Sequence, residues 1–141
     1  AGLRDDRDGL LDLAMATLVA PCFAGDRLTF VSDFPASQAA LARITGPVAA
    51  RFEAFWGGLE LANGFHELGD ATEQARRFAA DRNARLARSQ PTRDADQAFL
   101  AALASGLPPC AGVALGFDRV VMVAAGADHI DEVIAFPIER A

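Results

Sequence analysis

Three short stretches of the chain carry residue types that could do chemistry together. Arg51-Phe-Glu-Ala-Phe-Trp56 and Leu59-Glu-Leu-Ala62 alternate on either side of Gly57-Gly58, the pattern of two antiparallel strands joined by a tight turn. With Gly57-Gly58 as a two-residue loop, Phe55 faces Glu60 and Glu53 faces Ala62. Residues paired across strands share a face, so Glu53, Phe55, Glu60 and Ala62 lie on one side. Phe52, Ala54, Trp56, Leu59 and Leu61 lie on the other, and that apolar side is expected to form the core. Glu53 and Glu60 become diagonal neighbours, roughly 7–8 Å apart or less. Carboxylates that close repel one another and are natural ligands for Mg2+, which prefers carboxylate and phosphate oxygens. The spacing alone fits two solvated glutamates as well.

Asn63-Gly-Phe-His-Glu67 continues the second strand. Strict alternation would send Asn63, Phe65 and Glu67 to the core face, where an unpaired amide and carboxylate are costly. A bulge near Gly64 is therefore expected to return them to the Glu53 side. His66 reads as an exposed or hydrogen-bonded histidine. Gly112-Val-Ala-Leu-Gly116-Phe-Asp-Arg119 runs from a strand into a helix. Its glycines admit close approach of backbone or ligand, and a helix N-terminus attracts anions. Arg119 adds a permanent planar cation suited to phosphate. Taken alone, the same pattern describes a helix-start arginine paired with a surface carboxylate.

The elements that must position these residues follow from periodicity and punctuation. Asp8–Val19 carries Leu10, Leu11, Met15, Leu18 and Val19 at helical spacing, and Pro21 ends it. Arg27–Phe34 is β-rich and closed by Pro35. Ser37–Ile44 reads as a helical turn or loop, and Gly46-Pro47 as a turn. Asp70-Ala-Thr-Glu73 has the form of a capping box that opens a helix to about Arg88. That helix carries Arg76, Arg77, Arg82, Arg85 and Arg88, read as a solvated face, with a phosphate- or partner-binding stripe as the alternative. A further helix starts at Asp94 or Asp96 and stops at Gly106 and Pro108. Gly112–Phe117 is a small-residue strand, Asp118–Ala125 a short apolar helix, and Val133–Phe136 a short strand or packed tail. Strands and helices do not alternate strictly, which predicts an α+β fold with an antiparallel sheet flanked by helices.

Composition bounds the rest. The 141 residues are one domain's worth; 52% are hydrophobic and 23% charged, which excludes disordered and low-complexity classes. No apolar run is long enough for a membrane span. A net charge of −6 with a pI near 4.8 makes a poor general nucleic-acid binder. All 13 basic residues are arginine. Cys22 and Cys110 are far apart with no CxxC pattern, so reduced thiols and a cytoplasmic setting are the default expectation. The start at Ala1 reads like the middle of a protein, and a fragment of a longer chain is expected.

Joint spacing makes these motifs more specific than any one alone. Glu53…Glu60-Leu-Ala-Asn-Gly-Phe-His-Glu67 followed by Gly112-Val-Ala-Leu-Gly-Phe-Asp-Arg119 resembles the C-terminal half of class II lysyl-tRNA synthetases, the second stretch being similar to their motif 3. The resemblance is closer still to the paralogous β-lysine ligases of elongation factor P. Asp6–Leu11, Phe34–Ala42, the histidine of Asn63–Glu67 and Val133–Phe136 support it, and it extends over residues 1–141 from about Arg4. The resemblance implies a partial class II catalytic fold in a single domain, with motif 3 present and motifs 1 and 2 absent. It implies ATP-dependent activation of lysine or β-lysine as an adenylate and transfer to a lysine of elongation factor P. By the same resemblance, Glu53 and Glu60 would hold Mg2+, and Glu60, Leu61, Gly116 and Arg119 would meet ATP, with Arg119 the catalytic cation at the γ-phosphate. Asn63, Phe65, Glu67 and Ala114 would bind the amino acid, with Glu67 opposing its side-chain ammonium. Ala114 stands where the synthetases carry glycine, which suits the ligase. The alternatives are a C-terminal fragment of a lysyl-tRNA synthetase acting with tRNA-Lys, or a truncated non-catalytic binding module. The parent protein is expected to be a homodimer, and the isolated chain inactive.

Overall fold

A computed structural model describes residues 6–140. Strand β3 (Val48–Trp56) turns through Gly57-Gly58 into β4 (Leu59–His66), and Gly57 takes the left-handed conformation that the tight turn needs (φ 55°). β1 (Leu28–Pro35) pairs with β3 on one side, and β5 (Ala111–Leu115) pairs with β4 on the other. A two-residue β2 (Ile44–Thr45) also lies against β3. All pairings are antiparallel, giving a five-stranded sheet of order β1-β3-β4-β5 with β2 off the path. The expected α+β architecture is therefore present.

Helix ends follow the sequence signals. α1 (Arg7–Ala14) is capped by Asp6, whose carboxylate accepts the Gly9 N–H at 3.0 Å. The helical path continues through a π-type turn at Met15–Val19 and a 3-10 turn at Ala20–Cys22. α2 (Ala71–Ala87) begins at Asp70, which accepts the N–H groups of Thr72 and Glu73. Glu73 does not complete a capping box; Arg76 and Arg77 grip its carboxylate instead. Asp96, rather than Asp94, caps α3 (Gln97–Ala104). α4 (Phe117–Ala125) starts one residue before the expected Asp118 and ends at Gly126, left-handed at φ 66°. No helix among the described residues is long and apolar enough to cross a membrane.

The register of β3 on β4 departs from the expectation in one place. Trp56 pairs with Leu59 and Phe55 with Glu60, as the two-residue loop requires. The ladder then slips, so that Ala54 pairs with Ala62 and Glu53 with Asn63. The bulge lies at Leu61, not near Gly64. Leu61 and Ala62 consequently both line the apolar face, and Ala62 leaves the side of Glu53 that strict pairing assigned to it. From Asn63 onward the strand has changed parity. Gly64 serves close packing instead, because the Phe52 ring covers it and a Cβ there would come within 2.6 Å of the ring's Cζ.

Burial also differs from the expectation. Phe52, Ala54, Trp56 and Leu61 do share a face with Leu28 and Phe30, and α4 partly covers it. Yet Phe30, Val113 and Leu115 on that face are 62%, 60% and 55% exposed, so it is an open apolar groove, not a closed core. The most deeply buried cluster is Ala39, Ala42 and Ala49, packed against Phe34 and Phe65. Small residues let the Ala36–Ala42 segment lie directly on β3, which fixes one wall of the opposite face. Val133–Phe136 forms turns and bends rather than a strand; Val133 and Ile134 are half-buried, as a packed tail requires, whereas Phe136 is exposed. The run is confined between a 3-10 turn at Ile130–Glu132 and Pro137, which leaves little chain to extend into a strand.

The arginines of α2 are only partly a solvated face. Arg76, Arg82 and Arg88 are exposed, whereas Arg77 is largely buried and donates to the carbonyls of Ala40 and Ala42. It ties α2 to the loop beside the alanine cluster.

Candidate active site

The slip at Leu61 gathers the chemistry on one face. Glu53, Asn63, Phe65 and Arg51 occupy successive cross-strand positions there, and the β4–β5 ladder brings Gly112 opposite Phe65 and Ala114 opposite Asn63. Glu60, next to Phe55, lies on the same side. Glu53, Glu60, Phe55, Arg51 and Arg119 line one cleft of about 660 Å³, closed at its far side by α1 residues including Asp12. Larger clefts lie along α2, where Arg76 and Arg77 are paired with Glu73, Arg88 with Asp6 and Arg82 with Asp94.

Glu53 is mostly buried, and burial pushes its carboxyl above the ordinary value of 4.5. Arg51 opposes that shift, while the nearby charges of Glu60 and Asp12 reinforce it. A carboxylate so placed gains from a neighbouring cation. Among the described residues no group of three or more His, Cys, Asp or Glu side chains converges on a point. Glu53 and Glu60 alone would thus hold a divalent cation only together with oxygens of a bound substrate, which is how Mg2+ is commonly held.

Arg119, in the first turn of α4, reaches back across the sheet edge. Its guanidinium donates to the Glu60 carbonyl at 2.7 Å and lies 3.8 Å from the Glu60 carboxylate. Gly116 makes room for this: a Cβ there would lie 3.3 Å from the Arg119 stem. The Gly116 N–H donates to the carbonyl of buried Leu61 at 2.8 Å, so the bulge and the start of α4 are fixed to one another. Arg119 is about half exposed and its ion pair with the Glu60 carboxylate is long, which leaves its charge available to an anionic ligand.

At the other end of the face, Glu67 is anchored by its backbone. Its N–H donates to Cys110 O at 3.0 Å, its carbonyl accepts Arg43 Nε at 2.7 Å, and it bridges to Ala42. Its carboxylate lies over Gly112, where a Cβ would be 2.6 Å from Oε1. His66, pointing the other way at the end of β4, is exposed.

The family model of tRNA synthetases class II (D, K and N) matches residues 22–140. The chain belongs to that family. It is 54% identical over its whole length to an elongation factor P–(R)-β-lysine ligase of Klebsiella pneumoniae (strain 342), and 51% identical to one of Salmonella gallinarum (strain 287/91 / NCTC 13346). The chain spans 44% of the length of those relatives.

Behind the acids of this class II synthetase domain stands a set of residues that motif spacing does not single out. Arg51 bonds Glu53, Asn63 and the carbonyl of Gln38, and stacks on Phe34. Gln38 in turn donates to Asp12 of α1 at 2.7 Å. Arg51 stands two residues before Glu53 on a strand, so alternation already places it on the same face. An arginine at that spacing was legible; its inward orientation was not.

Proposed function

We propose that this chain supplies the cation, nucleotide and amino-acid contacts of an ATP-dependent ligase. The ligase would activate lysine or β-lysine as an adenylate and pass it to a lysine of elongation factor P. The observation that carries the reading is one continuous face. It runs from Glu60 and Arg119, through Glu53 in the cleft, along β4 to Asn63 and Phe65, and on to Glu67, whose carboxylate lies over Gly112 opposite Phe65. The names of the relatives and the family match support it.

Each residue suits its place by its chemistry. Glu53 and Glu60 would hold Mg2+ jointly with phosphate oxygens, and the cation would neutralise charge on the triphosphate. Arg119 would turn from the Glu60 carbonyl to meet the γ-phosphate, its planar fork matching phosphate geometry. Leu61 and Gly116 keep the nucleotide edge narrow and backbone-lined. Asn63 would donate to the amino acid, the Phe65 ring would wall its methylene chain, and Glu67 would oppose the distal ammonium. Ala114, opposite Asn63, would form the pocket floor. Such chemistry asks the protein for alignment and charge stabilisation rather than a covalent nucleophile.

The deciding experiment is amino-acid-dependent pyrophosphate–ATP exchange by the full-length protein with (R)-β-lysine and with α-lysine, followed by transfer to elongation factor P. Exchange that depends on neither amino acid would overturn the reading. Because the family description also covers tRNA synthetases, tRNA-Lys is the second acceptor to assay. Charging of tRNA with no transfer to elongation factor P would replace the ligase by a synthetase.

A further inference from the structure

Arg51 is the most heavily engaged side chain of the cleft. Only 17% of its side chain is exposed, and each of its three nitrogens has a different partner. Nη2 binds a carboxylate oxygen of Glu53, Nε donates to Asn63 Oδ1 at 3.3 Å, and Nη1 donates to the Gln38 carbonyl at 3.0 Å. Its guanidinium lies 4.3 Å from the Phe34 ring centroid and 5.9 Å from that of Phe65.

These contacts do more than neutralise a buried charge. Arginine has only donors, so Asn63 must turn its amide oxygen toward Arg51 and its NH2 group away from it. Glu53 is bound through Oε1, which leaves Oε2 for another partner. One guanidinium thereby dictates the orientation of a residue at the amino-acid end and of a carboxylate at the cation end. Lysine could not hold all three acceptors at once, because an ammonium is a compact point charge without the rigid fork that spans separate acceptors.

We infer that Arg51 is a positioning residue that couples the two halves of the site, presenting Glu53 to a divalent cation and the Asn63 NH2 group to an acceptor on the amino acid. This rests on the ligase reading for the identity of the ligands, but not for the coupling itself.

The test uses the full-length protein with Arg51→Met and Arg51→Lys. Exchange is titrated separately with (R)-β-lysine, ATP and Mg2+, and thermal unfolding is followed in parallel. For Arg51→Met the expectation is a rise of about tenfold or more in both the amino-acid KM and the half-saturating Mg2+ concentration. The ATP KM at saturating Mg2+ should move little. Arg51→Lys should restore the Mg2+ dependence and not the amino-acid KM. A variant that loses thermal stability while keeping both wild-type titrations assigns Arg51 to folding alone and overturns the proposal. If Arg51→Met does not fold, wild-type values for both titrations in Arg51→Lys overturn it equally. If the chain's parent did not activate an amino acid at all, exchange would be silent in the wild type. The cation arm is therefore also read without turnover, by Mn2+ titration in the presence of ATP followed by electron paramagnetic resonance. Affinity weakened about tenfold in Arg51→Met supports the coupling, and unchanged affinity refutes it.

Discussion

On the proposed ligase reading, replacing Gly112 by alanine is expected to damage amino-acid binding while leaving the fold intact. The added Cβ would lie 2.6 Å from Glu67 Oε1, whereas ordinary contact begins at 3.4 Å. The carboxylate must therefore withdraw by about 0.8 Å. The backbone of Glu67 cannot share that movement, because its N–H and carbonyl are held by Cys110 and Arg43. The whole displacement falls on the side chain. A misplacement of about 1 Å in a binding group can cost on the order of 10²-fold, so a rise of roughly 10–100-fold in the amino-acid KM is expected. The ATP KM should stay near wild type, since Arg119 and Glu60 lie at the other end of the face. Gly112 is not among the left-handed glycines, and alanine in a strand is favoured over glycine by roughly 0.5–1 kcal/mol. Thermal stability should thus hold or rise slightly. The assay is pyrophosphate–ATP exchange by the full-length protein at varied amino acid, with an unfolding scan as control. An amino-acid KM within twofold of wild type would refute the reasoning, showing that Glu67 does not need its position over Gly112.

Three further expectations concern neighbouring features. Ala114→Gly should raise α-lysine activation relative to β-lysine, by no more than the roughly 10–200-fold that a single methyl can discriminate, and an unchanged isomer ratio would return Ala114 to strand packing. Gly64→Ala sets a methyl 2.6 Å from Phe52 Cζ and 3.1 Å from the Gly112 carbonyl; overpacking of this kind costs about 1–3 kcal/mol, visible as a lowered Tm that Phe52→Leu should partly restore. The Glu73 carboxyl is held down to about 2 by its hydrogen bonds to Arg76 and Arg77. Its folded value lies below the unfolded one, so its stabilisation is full above pH 4.5 and fades as pH falls toward 2. Glu73→Gln should accordingly lower the Tm at pH 7 and make little difference near pH 2.

The faces of most hairpin residues were legible because alternation and a glycine pair fix them locally; Leu59 beside the turn, which lines the cleft, and Ala62 past the bulge were not. Phe55 opposite Glu60 followed from the loop alone. The position of the bulge did not, since a bulge anywhere between Glu60 and Asn63 restores Asn63, Phe65 and Glu67 to the polar side. A signal was present: a bulge turns two consecutive residues to one face, and Leu61-Ala62 is the first consecutive apolar pair that tolerates it. The open apolar groove was illegible for a different reason. Whether Phe30, Val113 and Leu115 are covered depends on what packs over the sheet, which no strand pattern encodes. The inward turn of Arg51 was illegible as well, because its burial depends on the Ala36–Ala42 segment folding over β3 and offering the Gln38 carbonyl.

The bulge at Leu61 gives β4 one residue of slack, and the slack is spent on the start of α4. Two consecutive carbonyls, those of Glu60 and Leu61, receive two separate donors, the Arg119 guanidinium and the Gly116 N–H. A regular ladder needs no residue between the partner of Phe55 and the partner of Ala54. Deleting Leu61 would therefore close the ladder without rotating anything downstream: Glu60, Ala62 and Asn63 would keep their partners on β3, and the face that carries Asn63, Phe65 and Glu67 would survive. One carbonyl would then be left for two donors, and Arg119 would lose its seat. Deleting Asn63 instead would shift the frame of every later residue and turn Phe65 and Glu67 toward the apolar groove unless the bulge itself closed to absorb the loss. Neighbouring one-residue deletions in the same strand would thus injure opposite ends of the site, and the loss of a backbone carbonyl is a perturbation that no side-chain substitution can reproduce.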